Sequence, residues 1–388
     1  MVGFSKSARK GLMVAWGICT VLLLLAGCAG VSKEIVFDSP KHRVMSGFRL
    51  LELNRIEDAR REFSKAVELD PSYSPAYRGL GLALGMKECF EAAFEAMEKA
   101  AVWAVTDEDK ALADVGFLRL ITLQKGPRWM EEAERYFRKA LEEQPNLSIH
   151  YYYMGVAYRE AHRFLKASWA FKKAIVMRGE LSERAEKELV MIEKILEARP
   201  DSALGKRLAL KASITRAEAA ALFVRELGID KLYVRAGLVD MALPTKGLVL
   251  PEDAARHVYK EEISQVLRLG IQGLTLLPEG SFDPDRPVTR SDFATMLADI
   301  LRKVEKKPGL GTQLKKRKSP FEDVSKNAPY FSDVMVCAVK EKIMGPQDGL
   351  FDPMELISGA DALLAIRRLK DKLALLVLSY HARVFPRR

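Results

Sequence analysis

The stretch Ala59-Arg60-Arg61-Glu62-Phe63-Ser64-Lys65-Ala66 decides the fold of the amino-terminal half of this chain. Its small, aromatic and small residues, at positions 59, 63 and 66, fall on one face of an α-helix. The same spacing returns 34 residues later and then twice more along the chain. The later copies are Ala93, Met97 and Ala100; Ala133, Phe137 and Ala140; and Ala167, Phe171 and Ala174. This recurrence predicts an array of helical repeats.

A second pattern precedes these helices and completes a two-helix unit. Its two clear copies are Tyr77-x-x-Leu80-Gly81-x-x-Leu84 and Tyr151-x-x-Met154-Gly155-x-x-Tyr158. With about four such units, residues 44–200 resemble the tetratricopeptide family. Small residues let two helix axes approach closely, aromatic side chains fill the gap beside them, and each helix pair buries an apolar face of the next. The resemblance implies an all-α solenoid.

The repeat spacing changes once. Ala93 and Ala133 lie 40 residues apart, so six residues are inserted, and we expect them near the turn at Gly126-Pro127. The helical run 181–198 is predicted to cap the array against solvent. Arrays of this family bind a peptide or protein segment on a concave surface, so the resemblance implies a protein partner. A rigid spacer is the alternative interpretation, and no groove residue is singled out.

After residue 200 the chain changes to shorter helices separated by loops with proline and glycine. Two long segments match each other, with Phe282 and Phe351 at equivalent positions 69 residues apart. Each segment contains a short sequence that ends in glycine (residues 270–273 and 342–345), then a Phe-Asp-Pro sequence, and then a helix-start motif. The helix-start motifs are Val288-Thr289-Arg290-Ser291-Asp292 and Ile357-Ser358-Gly359-Ala360-Asp361, with an earlier copy at Ile214-Thr215-Arg216-Ala217-Glu218. Thr215 with Glu218 and Thr289 with Asp292 are predicted capping boxes.

Together these motifs make residues 201–373 similar to the S-layer homology family. The resemblance implies a mainly helical, pseudo-threefold domain that binds an anionic cell-wall polymer or peptidoglycan. Carried over by position, the polymer-binding residues are Thr215, Arg216, Thr289 and Arg290, since guanidinium groups suit carboxylates and phosphates. The third copy has Gly359 in place of arginine, and the first repeat has no recognisable opening half. The alternative is structural, with the threonines capping helices and the arginines solvated.

The amino terminus has the order of an export signal. Lys6, Arg9 and Lys10 precede the uncharged apolar run 11–26, which ends in Leu25-Ala26-Gly27-Cys28. These last four residues resemble the lipobox of bacterial lipoproteins. The resemblance implies a signal peptide over 1–27, lipidation of Cys28, a linker over 28–43 and a membrane anchor. Ala29, where aspartate would indicate the inner membrane, favours the outer membrane facing the periplasm. An uncleaved membrane helix or a plain secretory signal is the alternative.

Composition narrows the classes of function. The net charge of +10 favours an acidic partner such as an anionic polymer or a lipid headgroup, and no nucleic-acid partner is expected. Five scattered histidines and the separated Cys89 and Cys337 predict no metal site, no cofactor and two buried single thiols. No nucleophile motif is present, so an enzyme is not expected. A basic stretch over 302–318 is predicted to contact lipid headgroups or phosphates or to be a solvated loop. The basic tail over 374–388 continues a predicted helix whose apolar stretch is too short to span a membrane.

The sequence therefore predicts an all-α protein, a tetratricopeptide solenoid followed by a mainly helical pseudo-threefold domain. The function that follows is a non-enzymatic envelope lipoprotein that tethers or scaffolds, with the array binding protein and the distal domain binding wall polymer. The alternative function is an assembly factor for exported protein or polysaccharide. In that case the array binds peptide and the distal repeats are only structural.

Overall fold

The structure, a computed structural model, describes residues 39–238, 249–346 and 348–384. Within these ranges it contains seventeen α-helices and no β-sheet, which confirms the all-α prediction. The predicted signal peptide, the lipidation site Cys28 and most of the linker 28–43 lie outside the described residues.

The described chain forms two compact units, one ending at Asp109 and the other beginning at Lys110. The first contains α1 (Pro40–Glu52), α2 (Ile56–Leu69), α3 (Ser74–Met86) and α4 (Phe90–Val102). Phe63 of α2 is fully buried, and a Cβ atom on Gly47 or Gly79 would overlap its ring. The prediction that small residues mark close helix approaches is confirmed here.

The array continues with α5 (Asp107–Gln124), α6 (Trp129–Glu143), α7 (Ser148–Glu160), α8 (Phe164–Val176) and α9 (Ser182–Ala198). In α7, Gly155 lies against the ring of Phe171 in α8, as the earlier glycines lie against Phe63. The predicted place of the six-residue insertion is wrong. Helix α5 has 18 residues where α7 has 13, so most of the insertion lengthens this helix. The Gly-Pro pair ends α5 but does not contain the extra residues.

The distal helices are shorter. They are α10 (Ala203–Leu208), α11 (Arg216–Leu222), α12 (Ile229–Arg235), α13 (Glu252–Ala255), α14 (Lys260–Leu269), α15 (Arg290–Val304), α16 (Phe331–Val334) and α17 (Gly359–Val384). Helices α11 and α16 each continue into a π-helical turn, Phe223–Leu227 and Met335–Lys340. Helix α17 runs through most of the predicted basic tail. We call residues 203–373 the threefold domain.

Three backbone hydrogen bonds close the threefold domain on itself. The Ile214 N–H donates to the Ile357 carbonyl (3.1 Å), the Ile357 N–H to the Val288 carbonyl (3.0 Å), and the Val288 N–H to the Ile214 carbonyl (2.9 Å). Each of the three residues directly precedes a helix-start threonine or serine, and all three are buried. This cyclic set of equivalent bonds confirms the predicted pseudo-threefold arrangement.

The opening helix of the first repeat comes from the array. Helix α14 packs on α11 and α16 packs on α15, and the helix that takes the equivalent place on α17 is α9. The residue that caps the end of α9, Arg199, lies in the left-handed region, as does Gly270 at the end of α14. The predicted cap is therefore not a solvent-facing end. Sequence analysis missed this opening half because α9 follows directly on the array and carries no motif of the distal repeats.

Candidate functional site

Both predicted capping boxes are present at the helix starts of the threefold domain. The Thr215 hydroxyl accepts the Glu218 N–H (3.3 Å), and the Glu218 carboxylate accepts the Thr215 N–H (3.0 Å). Thr289 and Asp292 make the same two bonds, at 3.1 and 3.2 Å. The prediction of the boxes is confirmed, and both threonine hydroxyls already serve as helix caps.

The two arginines of the motif are buried, so the alternative in which they are solvated is wrong. Arg216 is 7% exposed and Arg290 is 3% exposed. Arg216 Nε donates to the Phe282 carbonyl (2.9 Å), and Arg290 Nε donates to the Phe351 carbonyl (2.7 Å). Each guanidinium also lies over the phenylalanine ring, 4.8 and 5.0 Å from its centroid. Each arginine therefore clasps the Phe-Asp-Pro loop of the following repeat.

Burial lowers the pKa of both guanidinium groups from the ordinary arginine value. The cost of desolvating the charge is offset by further backbone acceptors. Arg216 Nη2 donates to the Thr275 carbonyl (2.9 Å), and Arg290 Nη2 donates to the Gly345 carbonyl (2.8 Å). Buried charges that are fully hydrogen-bonded are tolerated, and hydrogen bonds to charged groups are stronger than neutral ones.

Two aspartates brace the clasped loops from the other side. Asp253 accepts the backbone N–H groups of Phe282 (3.0 Å) and Asp283 (2.6 Å). Asp323 does the same for the equivalent residues 351 and 352. The backbone of Asp283 has a φ of 53°, a value that is uncommon for residues other than glycine. The hydrogen bond from its N–H to the Asp253 carboxylate stabilises this conformation. Sequence reasoning assigned Asp253 and Asp323 no contact, because the loops they hold lie almost 30 residues further on.

The missing third arginine is explained by packing. The Gly359 N–H donates to the Lys211 carbonyl (2.9 Å), and a Cβ atom on Gly359 would overlap the Leu208 carbonyl oxygen. The loop of the first repeat thus crosses directly over the helix start where the other repeats have room for a side chain. Glycine is required at this seam, so no third clasp forms there.

One of the two predicted arginines lines a cavity. A cavity of about 240 Å³ lies between α9, α17 and the loop that Arg290 clasps. Lys194 of α9 pairs with Asp361 (2.7 Å), and Arg368 of α17 pairs with Glu197 (2.8 Å), along its edge. Its lining is Arg290, Ile343, Met344, Gly345, Pro346, Leu364, Ala365 and these four charged residues. We call this the α9–α17 cavity.

A second cleft, of about 380 Å³, lies at the end of the array. Tyr152 and Arg159 of α7 face Glu188 and Met191 of α9 across it, and Leu210 of the threefold domain closes one side. Arg159 donates to the Glu188 carboxylate. Burial, and then the Glu188 charge, raise the pKa of Tyr152. No sequence signal singled out these residues, because the cleft forms only when α9 packs between two domains.

Other sequence predictions have mixed outcomes. Cys337 is a buried free thiol as predicted, but Cys89 is exposed because it lies in the turn that begins α4. Among the described residues, no group of three or more His, Cys, Asp and Glu side chains is placed to hold a metal ion. No helix within the described ranges is long and apolar enough to cross a membrane.

Comparison with known proteins gives one weak similarity. No known protein-family profile matches the chain. Over 169 residues, or 41% of the chain, it is 30% identical to cell surface glycoprotein 1 of Acetivibrio thermocellus. The match covers only 6% of that protein's length. The chain is thus similar to a small part of a cell-surface protein, while both repeat resemblances rest on the motifs and the helical geometry described above.

Proposed function

We propose that this protein is a non-enzymatic component of the cell envelope that tethers or scaffolds. In this proposal the threefold domain binds an acidic residue of a wall polymer in the α9–α17 cavity, and the array binds a protein. The observation that carries the proposal is the convergence of Arg290, Lys194 and Arg368 on one cavity. The weak similarity to a cell-surface protein supports an envelope location.

The chemistry of the α9–α17 cavity suits a carboxylate-bearing sugar. Three cationic side chains and two carboxylates line it, and the buried guanidinium of Arg290 contributes fixed positive charge. A Cβ atom on Gly345 would meet open space, so the cavity wall is accessible there. Its volume lies below the usual range for a complete small-molecule site, as expected for a cavity that takes one sugar unit of a longer chain.

Membrane attachment completes the proposal. Lipid chains on Cys28 would hold the folded part at a membrane, because each buried methylene contributes about 0.8 kcal/mol and several chains together anchor stably. We place the anchored protein at the outer membrane, facing the periplasm, on the identity of Ala29.

The test uses the purified chain and insoluble wall material, sedimented with and without its secondary polymers. Lys194→Gln/Arg368→Gln removes two cations from the cavity edge and should weaken sedimentation about tenfold. Lys172→Gln/Lys187→Gln is the matched control, because it also breaks two exposed ion pairs on α8 and α9. Arg216 and Arg290 are left intact, since their loss would unfold the loops they clasp. Equal binding by both variants would refute the polymer site.

A second candidate function is an assembly factor that acts through the array. The cleft between Tyr152 and Met191 favours it, because an aromatic ring and a methionine beside paired charges suit a peptide side chain. Tyr152→Ala/Met191→Ala should then lose a copurifying exported protein and keep wall binding. The cavity variant should show the reverse. If wall material binds neither parent nor variants while the copurifying protein depends on the cleft, the assembly role replaces tethering.

A further inference from the structure

A third cavity lies away from both of these sites. It has a volume of about 600 Å³ and is formed by the end of α15, the linker that follows it and the segment before α16. Neither Arg216 nor Arg290 lines it, so it is separate from the clasped loops. The linker belongs to the basic stretch 302–318, to which the proposed function assigns no role. We call this the linker cavity.

The residues that line the linker cavity carry a net positive charge. Asp333 is the one carboxylate of its lining, and this residue is 7% exposed. Asp333 accepts hydrogen bonds from Arg302 and from the Thr295 hydroxyl (3.0 Å). Arg302 is also engaged through Nε with the Leu310 carbonyl (3.2 Å). Arg302 and Asp333 therefore neutralise each other, and Lys315 and Lys326 provide the net charge of the lining.

Neutral hydrogen-bond donors surround the two lysines. Thr312, Ser332, Gln272 and Asn327, whose side chains carry a hydroxyl or an amide group, line the same space. Most of the lining surface is therefore polar, unlike that of a site for an apolar ligand. A ligand that only accepts hydrogen bonds, and accepts them in several directions, matches this set.

The linker is held in a defined shape. Leu310 and Leu314 are buried, at 7% and 8% exposure, and they anchor the linker on the domain. Gly311 has a φ of 99°, and a Cβ atom there would collide with Ser332 and Val336. The linker can therefore approach α16 this closely only with glycine at position 311. The cavity is a packed feature of the fold and not a gap beside a loose loop.

We propose that the linker cavity binds a phosphate-bearing anion. Phosphate presents several acceptor oxygens in a tetrahedral arrangement, and lysine ammonium groups bind it as point charges without a fork geometry. Two lysines and four neutral donors around one space supply that arrangement. A phosphodiester of a wall polymer and a phospholipid headgroup share this chemistry. The proposal does not rest on the α9–α17 cavity, and either site can fail without the other.

Calorimetric titration of the purified chain with tripolyphosphate tests the proposal. Lys315→Gln/Lys326→Gln should weaken binding about tenfold, the combined effect of losing two exposed charges. The matched control, Lys173→Gln/Lys260→Gln, removes two exposed lysines outside the cavity and should leave affinity unchanged. Citrate should bind the parent more weakly than tripolyphosphate. No binding by the parent, equal loss in the two variants, or equal affinity for citrate would each overturn the proposal.

Vesicles distinguish the two sources of phosphate. If phosphatidylglycerol vesicles retain the parent but not the cavity variant, and phosphatidylcholine vesicles retain neither, the headgroup is the ligand. If tripolyphosphate binds and no vesicle does, the ligand is a soluble phosphodiester polymer. Both results support a phosphate site.

Discussion

At the scale of single residues, the position that follows the helix-start threonine or serine has two different roles among the three repeats of the threefold domain. Arg216 and Arg290 reach across to clasp the next repeat, whereas Gly359 lies under the crossing chain at Leu208. The loop of the first repeat, at Leu208, occupies the space that an arginine side chain would need. In sequence, Gly359 looks like the loss of a ligand-binding arginine. The structure shows that packing against Leu208 requires glycine there.

Gly359→Ala should lower the free energy of unfolding by about 3 kcal/mol, because the added methyl group meets backbone that cannot rotate away. Gly345→Ala is the control, since its methyl group meets open space and should cost less than about 1 kcal/mol. Urea unfolding followed by circular dichroism measures both. Similar losses in the two variants would show that the crossing chain yields to the methyl group.

The buried side chain of His150 predicts that the stability of the fold depends on pH. Its side chain is fully buried, Nε2 lies 2.7 Å from the Gln144 carbonyl, and Nδ1 has no partner. Burial lowers its pKa below the ordinary value. Below about pH 6.5, His150 therefore binds a proton more readily in the unfolded chain than in the folded chain. The free energy of unfolding then falls as the pH decreases, by at most about 1.4 kcal/mol per pH unit.

His150→Gln tests this assignment, because glutamine does not titrate. Urea midpoints between pH 7.5 and 5.5 should decline less in the variant than in the parent. His42→Gln, at an exposed position, should retain the parent's decline. A parent whose stability does not change over this interval would contradict the assignment.

At the scale of elements, α9 has two apolar faces and two partners. Ile192 and Ile195 are fully buried, and the helix lies between α8 and α17. The second covered face explains why α9 is the longest helix of the array after α5.

A chain that begins at residue 204 should not fold cooperatively, because it exposes the face of α17 that α9 covers. A chain that begins at residue 180 retains α9 and should show a cooperative thermal transition. Near-ultraviolet circular dichroism and dye binding distinguish the two. Equal transitions in both chains would show that α9 is dispensable for the threefold domain.

At the scale of the whole molecule, the unit that begins at Lys110 joins half of the array to the threefold domain. Buried Glu226 strengthens the junction by accepting the backbone N–H groups of Asp201 (3.0 Å) and Ser202 (3.0 Å). Arg368 and Lys370 add ion pairs to Glu197 and Asp201. The connection between the two repeat types is therefore a packed interface and not a free linker.

Amide hydrogen exchange measures this coupling. Ile195→Ala should lower protection in both α8 and α17, by about 2–4 kcal/mol, because one cavity destabilises both neighbours of α9. Ile263→Ala, an equally buried change in α14, is the control and should affect the threefold domain more than α8. If Ile195→Ala changes protection in α8 alone, the two parts open independently.

The amino-acid sequence by itself determined the elements that depend on local spacing. The small–aromatic–small pattern around Phe63 and Phe171 specified helix pairs, and Thr215 and Thr289 specified helix starts, because helix periodicity and capping act over a few residues. Tertiary structure alone decided what depends on distant segments: the role of α9 in the threefold domain, the burial of Arg216 and Arg290, and the glycine at position 359. Packing between residues far apart in the chain sets these features, and no local pattern records which surfaces meet.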